Sequence, residues 1–350
     1  MGNSPKANDS TDKGKRRDRL TLLTKINLVM LLLLCLAETF IAERHWLTVL
    51  LLYVPQHWIG IPGVLLTSWS LFRKQRRLLL LNGLGLLFFL VYFMGFNVPL
   101  RAGSTPSAAR LRVMTYNINY GSRGAAQIVK TVRAAQPDVL CLQETREYRQ
   151  WDDPVPELQR LLPGWHMARG AEVTTFSRYP IIDQQSHAMP RGTGRVILET
   201  HIDRAGQRFA VFNVHMSTAA GAVNRSEARL RRRLGLPIYV SATADIRRRQ
   251  TQLLLSITHG VVTPHVVVGD FNNPPRGLVY RALTGRFQDA FRAAGWGWGY
   301  TFRSDLPVMR IDYIFLGPRV RATRTFVPTA NASDHRPLVA DITLPDNNRE

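Results

Sequence analysis

The apolar positions divide the chain into two regimes. Up to about residue 98 they form long runs: 26–42, broken by amide or charged side chains only at Asn27 and Glu38; 46–71, with Pro55 and Pro62 inside it; and 78–98, with no charged residue. Runs of this length predict membrane-crossing helices, since about 20 apolar residues span a hydrocarbon core. From Leu111 onward, short apolar stretches alternate with helix-like ones between Gly, Pro, Asn and Asp, which is α/β or α+β grammar. Strands are expected at 112–118, 139–142, 196–202, 208–215, 266–269, 311–316 and 338–342, and helices at 125–135, 242–256 and 287–294. The pattern therefore predicts a polar tail (1–22), a membrane segment (23–99) of about three spans, a linker (100–110) and a folded domain (111–345).

Loop charge gives the orientation. Lys13, Lys15, Arg16, Arg17 and Arg19 precede the first run, and Arg73, Lys74, Arg76 and Arg77 separate the second from the third, whereas 43–45 is nearly neutral. Basic loops stay cytoplasmic, so an odd number of spans in the cell membrane places the folded domain outside the cytoplasm. No small-residue cleavage site promptly follows the first run, and MGNSPK lacks the Ser or Thr of a myristoylation signal.

With 45% hydrophobic residues the chain is not disordered as a whole, and its formal charge of +21 attracts phosphate-bearing partners, nucleic acid or anionic lipid alike. A solvated surface rich in arginine gives the same total. Two cysteines, Cys35 and Cys141, indicate neither a disulfide framework nor a cysteine zinc site.

Several polar residues fall where expected strands end, the place from which a sheet presents groups to a ligand. Asn117 ends one such strand, Glu144 closes PDVLCLQE, and His215 follows an apolar strand. Taken singly, these read equally well as a turn residue, a solvated acid and a core histidine. HVVVGDFN (265–272) is sharper, since a buried strand running into a turn sets Asp270 and Asn272 two positions apart, able to share a water, a metal or a phosphate oxygen. Asp312 lies within RIDYIF, where an inward carboxylate needs a partner, and SDHRP supplies Asp334 and His335 in a loop. A histidine in acid–base work needs its second ring nitrogen held.

With TYNI, PDVLCLQE, FSRYPI, NVH, GDFN, RIDYIF and SDHRP in this order, the region from about 111 to 343 resembles the endonuclease/exonuclease/phosphatase family. The resemblance implies a DNase I-like four-layer sandwich, two mixed β-sheets flanked by helices, here preceded by the bundle of about three transmembrane helices. It also implies metal-assisted phosphoester hydrolysis with Mg²⁺ (or Mn²⁺) held by Glu144 with help from Asn117 and Asp334. Asp270 would position or deprotonate water, Asn272 bind a phosphate oxygen, His335 act on the phosphate while oriented by Asp312, and His215 serve as a second site histidine.

Substrate is left open. Arg225, Arg229, Arg231, Arg232 and Arg233, with 247–249 following, form a basic insert able to grip a polyanion or an anionic bilayer, or a merely solvated helix face. Trp296, Trp298 and Tyr300 form either a stacking or membrane-dipping loop or a cover for a sheet edge. The favoured reading is hydrolysis of a lipid or other membrane-proximal phosphodiester; the alternatives are an outward-facing nonspecific endonuclease and a noncatalytic receptor or scaffold. No protein partner is indicated.

Overall fold

The structure, a computed structural model, describes residues 7–99, 110–190, 194–218 and 225–345, with the side chains of 7–18 and 225–234 outside that description. Residues 100–109 of the expected linker (100–110), the lysines and arginines at 13–17 and the arginines at 225–233 therefore lie outside the described residues or side chains. By contact density the chain forms two compact units, residues 1–41 with 54–96, and residues 42–53 with 97–350.

Apolar continuity makes helices of the first regime. They are α1 (Ala7–Leu36), α2 (Trp46–Tyr53), α3 (His57–Phe72) and α4 (Arg76–Phe88). Two continuous helical stretches, Arg19–Arg44 and Arg76–Phe93, are long and apolar enough to cross a membrane; the expected second span is broken between α2 and α3. In the first unit Asn82 Nδ2 donates to Thr24 Oγ1 (3.0 Å) and Ser70 Oγ (3.1 Å), a buried polar knot among helices whose outer faces expose leucines and valines.

The second unit contains two six-stranded sheets. Its strands are β1 (Arg110–Asn117), β2 (Val139–Gln143), β3 (His166–Arg169), β4 (Val173–Ser177), β5 (Ile181–Ala188), β6 (Val196–Arg204), β7 (Gln207–His215), β8 (His265–Asp270), β9 (Gln288–Asp289), β10 (Asp312–Leu316), β11 (Arg321–Phe326) and β12 (Leu338–Thr343). They are ordered β11-β12-β1-β2-β4-β3 and β5-β6-β7-β8-β10-β9. Helices α5 (Ala125–Ala135), α6 (Val155–Leu161), α7 (Arg225–Thr258), α8 (Gly277–Thr284) and α9 (Ala290–Ala294) complete it.

Strand alternation sorts the apolar residues into separate cores. Val113, Val139, Cys141, Val211, Val266, Val268 and Ile314 meet between the sheets, whereas Met114, Leu140 and Leu142 face α5 and α6. Phe212, Val267 and Phe315 form a third core with residues of α7 and α8. Along α5, Ala125, Ile128, Val129, Val132 and Ala135 are buried at helical spacing, and Gln136 ends the helix in the left-handed conformation. Helices outside two sheets make the expected four-layer sandwich. The expected helix at 287–294 is instead β9 running into α9, because Asp289 accepts from Phe291 N (2.9 Å) and Arg292 N (3.3 Å) and so caps a later start.

Candidate active site

Strand direction decides what meets at one end of the sandwich. β1 runs parallel to β2, and β7 to β8, so the C-terminal ends carrying Asn117, Glu144, His215 and Asp270 lie together. β10 runs antiparallel to β8 with Asp312 opposite Asp270, so the first residue of β10 arrives at the same end. The loop into β12 adds Asp334 and His335.

Asp270 is the hub. Its Oδ2 accepts from Asn117 Nδ2 (3.0 Å) and Asn272 Nδ2 (3.2 Å) and lies 3.7 Å from His215 Nε2 and 3.8 Å from His335 Nε2; its Oδ1 accepts from Asn272 N (2.8 Å). The preceding Gly269 is required by close approach, since a Cβ there would stand 1.9 Å from the Val214 carbonyl oxygen. Glu144 (φ 58°) and Asn272 (φ 47°) occupy the left-handed region, a local strain of a kind found at functional sites.

His335 Nδ1 bonds Asp312 Oδ2 at 2.8 Å, which leaves Nε2 directed toward Asp270. Burial works to lower the His335 pKa, but the charges of Asp312 and Asp270 outweigh it and push it up to about 10. Glu144 lies 3.3 Å from Asn117 Nδ2 and 3.7 Å from His215 Nε2; burial, with Asp334 nearby, pushes its carboxyl up against the pull of both histidines. Asn117 Oδ1 is taken by Asn119 N (3.0 Å), so its amide stands as a donor between Glu144 and Asp270. Asp334 is half-buried, with Oδ1 3.1 Å from the Ser333 hydroxyl.

The donor set fits a hard divalent cation. Glu144, Asp270, Asp312 and Asp334 bring four carboxylates within electrostatic reach of the cationic His335, and the buried Asp312 Oδ1 has no hydrogen-bond partner among the described residues. Asp270, Asp312 and His335 offer ligand atoms all within 4.8 Å of one another, so this group is able to hold an ion. There, however, an ion would compete with the His335–Asp312 bond, whereas Glu144 is met by the Asn117 amide at 3.3 Å and, farther off, by His215 Nε2 at 3.7 Å.

The sequence profile described as the Endonuclease/Exonuclease/phosphatase family matches residues 114–335. The chain belongs to that family. Solved structures agree in fold: the endonuclease/exonuclease/phosphatase from Bacteroides vulgatus is 20% identical, with a TM-score of 0.54 over 67% of this chain and 99% of that one. A mannosyl-6-phosphatase from Bacteroides thetaiotaomicron (18%, TM-score 0.51, 67% and 100%) and D. rerio TDP2 complexed with a single-strand DNA product (16%, 0.51, 67% and 99%) share it. No curated protein matches the chain in sequence.

This family member has one site residue that the motifs did not single out. Glu172, fully buried, lies 3.3 Å from His215 Nδ1 and 3.3 Å from Arg195 Nε, with Arg146 at 3.9 Å. Burial acts to raise its pKa, but His215 and the arginines overcome that and hold its carboxyl below the ordinary range. The register explains its presence: β4 is antiparallel to β2 with Val173 opposite Gln143, so Glu172 and Glu144 emerge side by side, and Thr145 N donates to Glu172 O at 3.0 Å. An acid directly before a buried strand was the available signal. Trp296 and Trp298 are 69% and 42% exposed, on a loop that continues to Thr301, whose Oγ1 accepts from Asp312 N (3.3 Å), and to Phe302, whose ring centroid is 5.0 Å from that of His335.

Proposed function

We propose that the chain is a divalent-metal-dependent phosphoester hydrolase that directs water in line at phosphorus. The observation carrying this reading is the convergence of amide and imidazole groups on Asp270 Oδ2, beside a second acid, Glu144, whose nearest cationic partner among the described residues, His215, stands 3.7 Å away. A Mg²⁺ or Mn²⁺ ion held by Glu144 and Asp334 would supply positive charge against the nonbridging oxygens. Asn117 joins that set if its amide turns its oxygen inward.

Asp270 orients the water and takes its proton, while Asn272 and His215 donate to phosphate oxygens. His335, kept charged by Asp312, donates where negative charge develops on the leaving side. We favour a lipid or other membrane-proximal phosphodiester, met outside the cytoplasm in the orientation that loop charge predicts. The exposed Trp296, Trp298 and Leu306 on a loop that also borders His335 support it. An endonuclease is the competing reading, supported by the charge of +21 and by the DNA product held by TDP2.

The full chain in detergent, given Mg²⁺, Mn²⁺ or EDTA, tests these readings on anionic phospholipid vesicles and plasmid DNA. Headgroup release is expected, stopped by EDTA and reduced at least about 100-fold by Asp270→Asn. Nicking without headgroup release replaces lipid by nucleic acid. Turnover unchanged by Asp270→Ala and His335→Ala rejects the catalytic assignments, and no turnover of either substrate by the unaltered chain favours the receptor or scaffold.

A further inference from the structure

Residues 42–53 lie outside the family-matched region, from the end of the first long apolar stretch through α2, yet they belong to the compact unit that carries the candidate site. Their polar contacts concentrate on the chain just after Asp270. The Tyr53 hydroxyl donates to the Asn272 carbonyl oxygen at 2.7 Å and lies 3.2 Å from Asn273 Oδ1. Arg276 donates to the Leu52 carbonyl (3.1 Å), and the Glu43 carboxylate accepts from Leu278 N (2.6 Å) and Val279 N (3.3 Å), capping α8 from a residue 235 positions away. Gly277 (φ 84°) leaves room for that carboxylate, since a Cβ there would meet Glu43 Oε1 at 2.4 Å.

The segment is fixed on its other side as well. Val49 packs with Tyr239, Val240 and Ala244 of α7, and the buried Arg247 guanidinium lies 5.3 Å from the Tyr53 ring centroid. Tyr53 is thus a well-held donor aimed at the peptide that follows a strained residue. In that left-handed conformation Asn272 reaches Asp270 through both its backbone N–H (2.8 Å) and its side-chain amide (3.2 Å).

We propose that Tyr53 is a positioning residue for the reaction: its hydroxyl, by holding the Asn272 carbonyl, fixes the turn from Asp270 to Asn273. The stretch 42–53 is accordingly a working part of the catalytic unit and more than a connection between apolar helices. The proposal rests on the hydrolase reading for its effect on turnover and on geometry alone for its effect on the turn.

The test compares Tyr53→Phe with the unaltered full chain in detergent, reading hydrogen exchange and hydrolysis of bis(4-nitrophenyl) phosphate with Mg²⁺. One lost hydrogen bond predicts exchange at the Asn272 amide and a kcat about tenfold faster and about tenfold lower respectively, with KM within about twofold and melting nearly unchanged. Glu43→Ala is the companion, expected to speed exchange at Leu278 and Val279. Unchanged exchange at Asn272, or unchanged kcat in a chain that turns over, overturns the proposal. Should the unaltered chain fail to hydrolyse the probe, the hydrolase reading suffers, and the exchange result still decides for or against the Tyr53 coupling.

Discussion

Replacing Glu172 by glutamine removes one charge from a fully buried cluster while keeping its shape. The acid faces Arg195 at 3.3 Å and His215 Nδ1 at 3.3 Å. Unit charges at the Arg195 distance attract by about 5 kcal/mol at an effective dielectric of about 20. Part of this is returned because a neutral amide is easier to bury, and Arg195 keeps its bonds to the carbonyls of His215 (3.2 Å) and Met216 (2.8 Å), so a net loss of about 3 kcal/mol is expected. For a unit of this size that lowers the melting temperature by about 6–12 °C.

The acid limb supplies an internal control. Glu172 has a folded pKa below its unfolded value, so its stabilisation is complete above about pH 4.5 and is lost as pH falls through the lowered pKa. The gap between wild type and Glu172→Gln should therefore close in acid. Because Glu172 also orients the ring whose Nε2 lies 3.7 Å from both Glu144 and Asp270, kcat is expected to fall about 10- to 100-fold at neutral pH. Scanning fluorimetry of both proteins from pH 3.5 to 8, beside a rate assay, reads all three effects. Equal melting at neutral pH, or a gap that persists unchanged in acid, refutes the reasoning.

Asp289→Ala strands the buried Arg310, whose guanidinium lies 2.7 Å from Asp289 and over the rings of Phe291 and Tyr313, so about 3–5 kcal/mol should be lost; denaturant titration should show Asp289→Leu with Arg310→Met recovering only part of it, since the Tyr280 hydroxyl bond (2.7 Å) and the cap of α9 stay lost. Burial lowers the His265 pKa against the pull of its bond to the Thr263 carbonyl, favouring the neutral ring. Below about pH 6.5 the unfolded chain takes up a proton that the folded one refuses, so stability should fall by up to about 1.4 kcal/mol per pH unit, and melting at pH 5.5 and 7.5 should show His265→Leu flattening this slope.

What the sequence made legible follows from what each element needs. β1, β2, β7, β8, β10 and β12 bury apolar side chains and stand out as apolar runs, and all lie inside their sheets. β5 and β11 are edge strands whose side chains are largely polar and exposed or half-exposed, so nothing in their composition separates them from loop. β4 escapes for another reason: Thr174 and Thr175 look polar but are buried, Thr174 sharing a hydroxyl bond with Thr145 (2.8 Å) and its carbonyl accepting from Asn213 (3.1 Å). α8 begins where a carboxylate 235 positions away caps it, a partner no local window contains.

The site divides along the same line. Asn117, Glu144, His215, Asp270 and Asn272 are visible because each ends or directly follows an apolar strand, the last two the same one, and Asp312 and His335 because an acid and an imidazole in β-rich context demand partners. Glu172 and Tyr53 carry no such local mark. The first is brought to His215 by the antiparallel register of β4 against β2, the second to Asn272 by a helix that composition assigns to the membrane. Site residues that end a strand leave a trace in local pattern; residues that hold them in place need only lie nearby in space, and their positions are fixed by register and packing between distant segments.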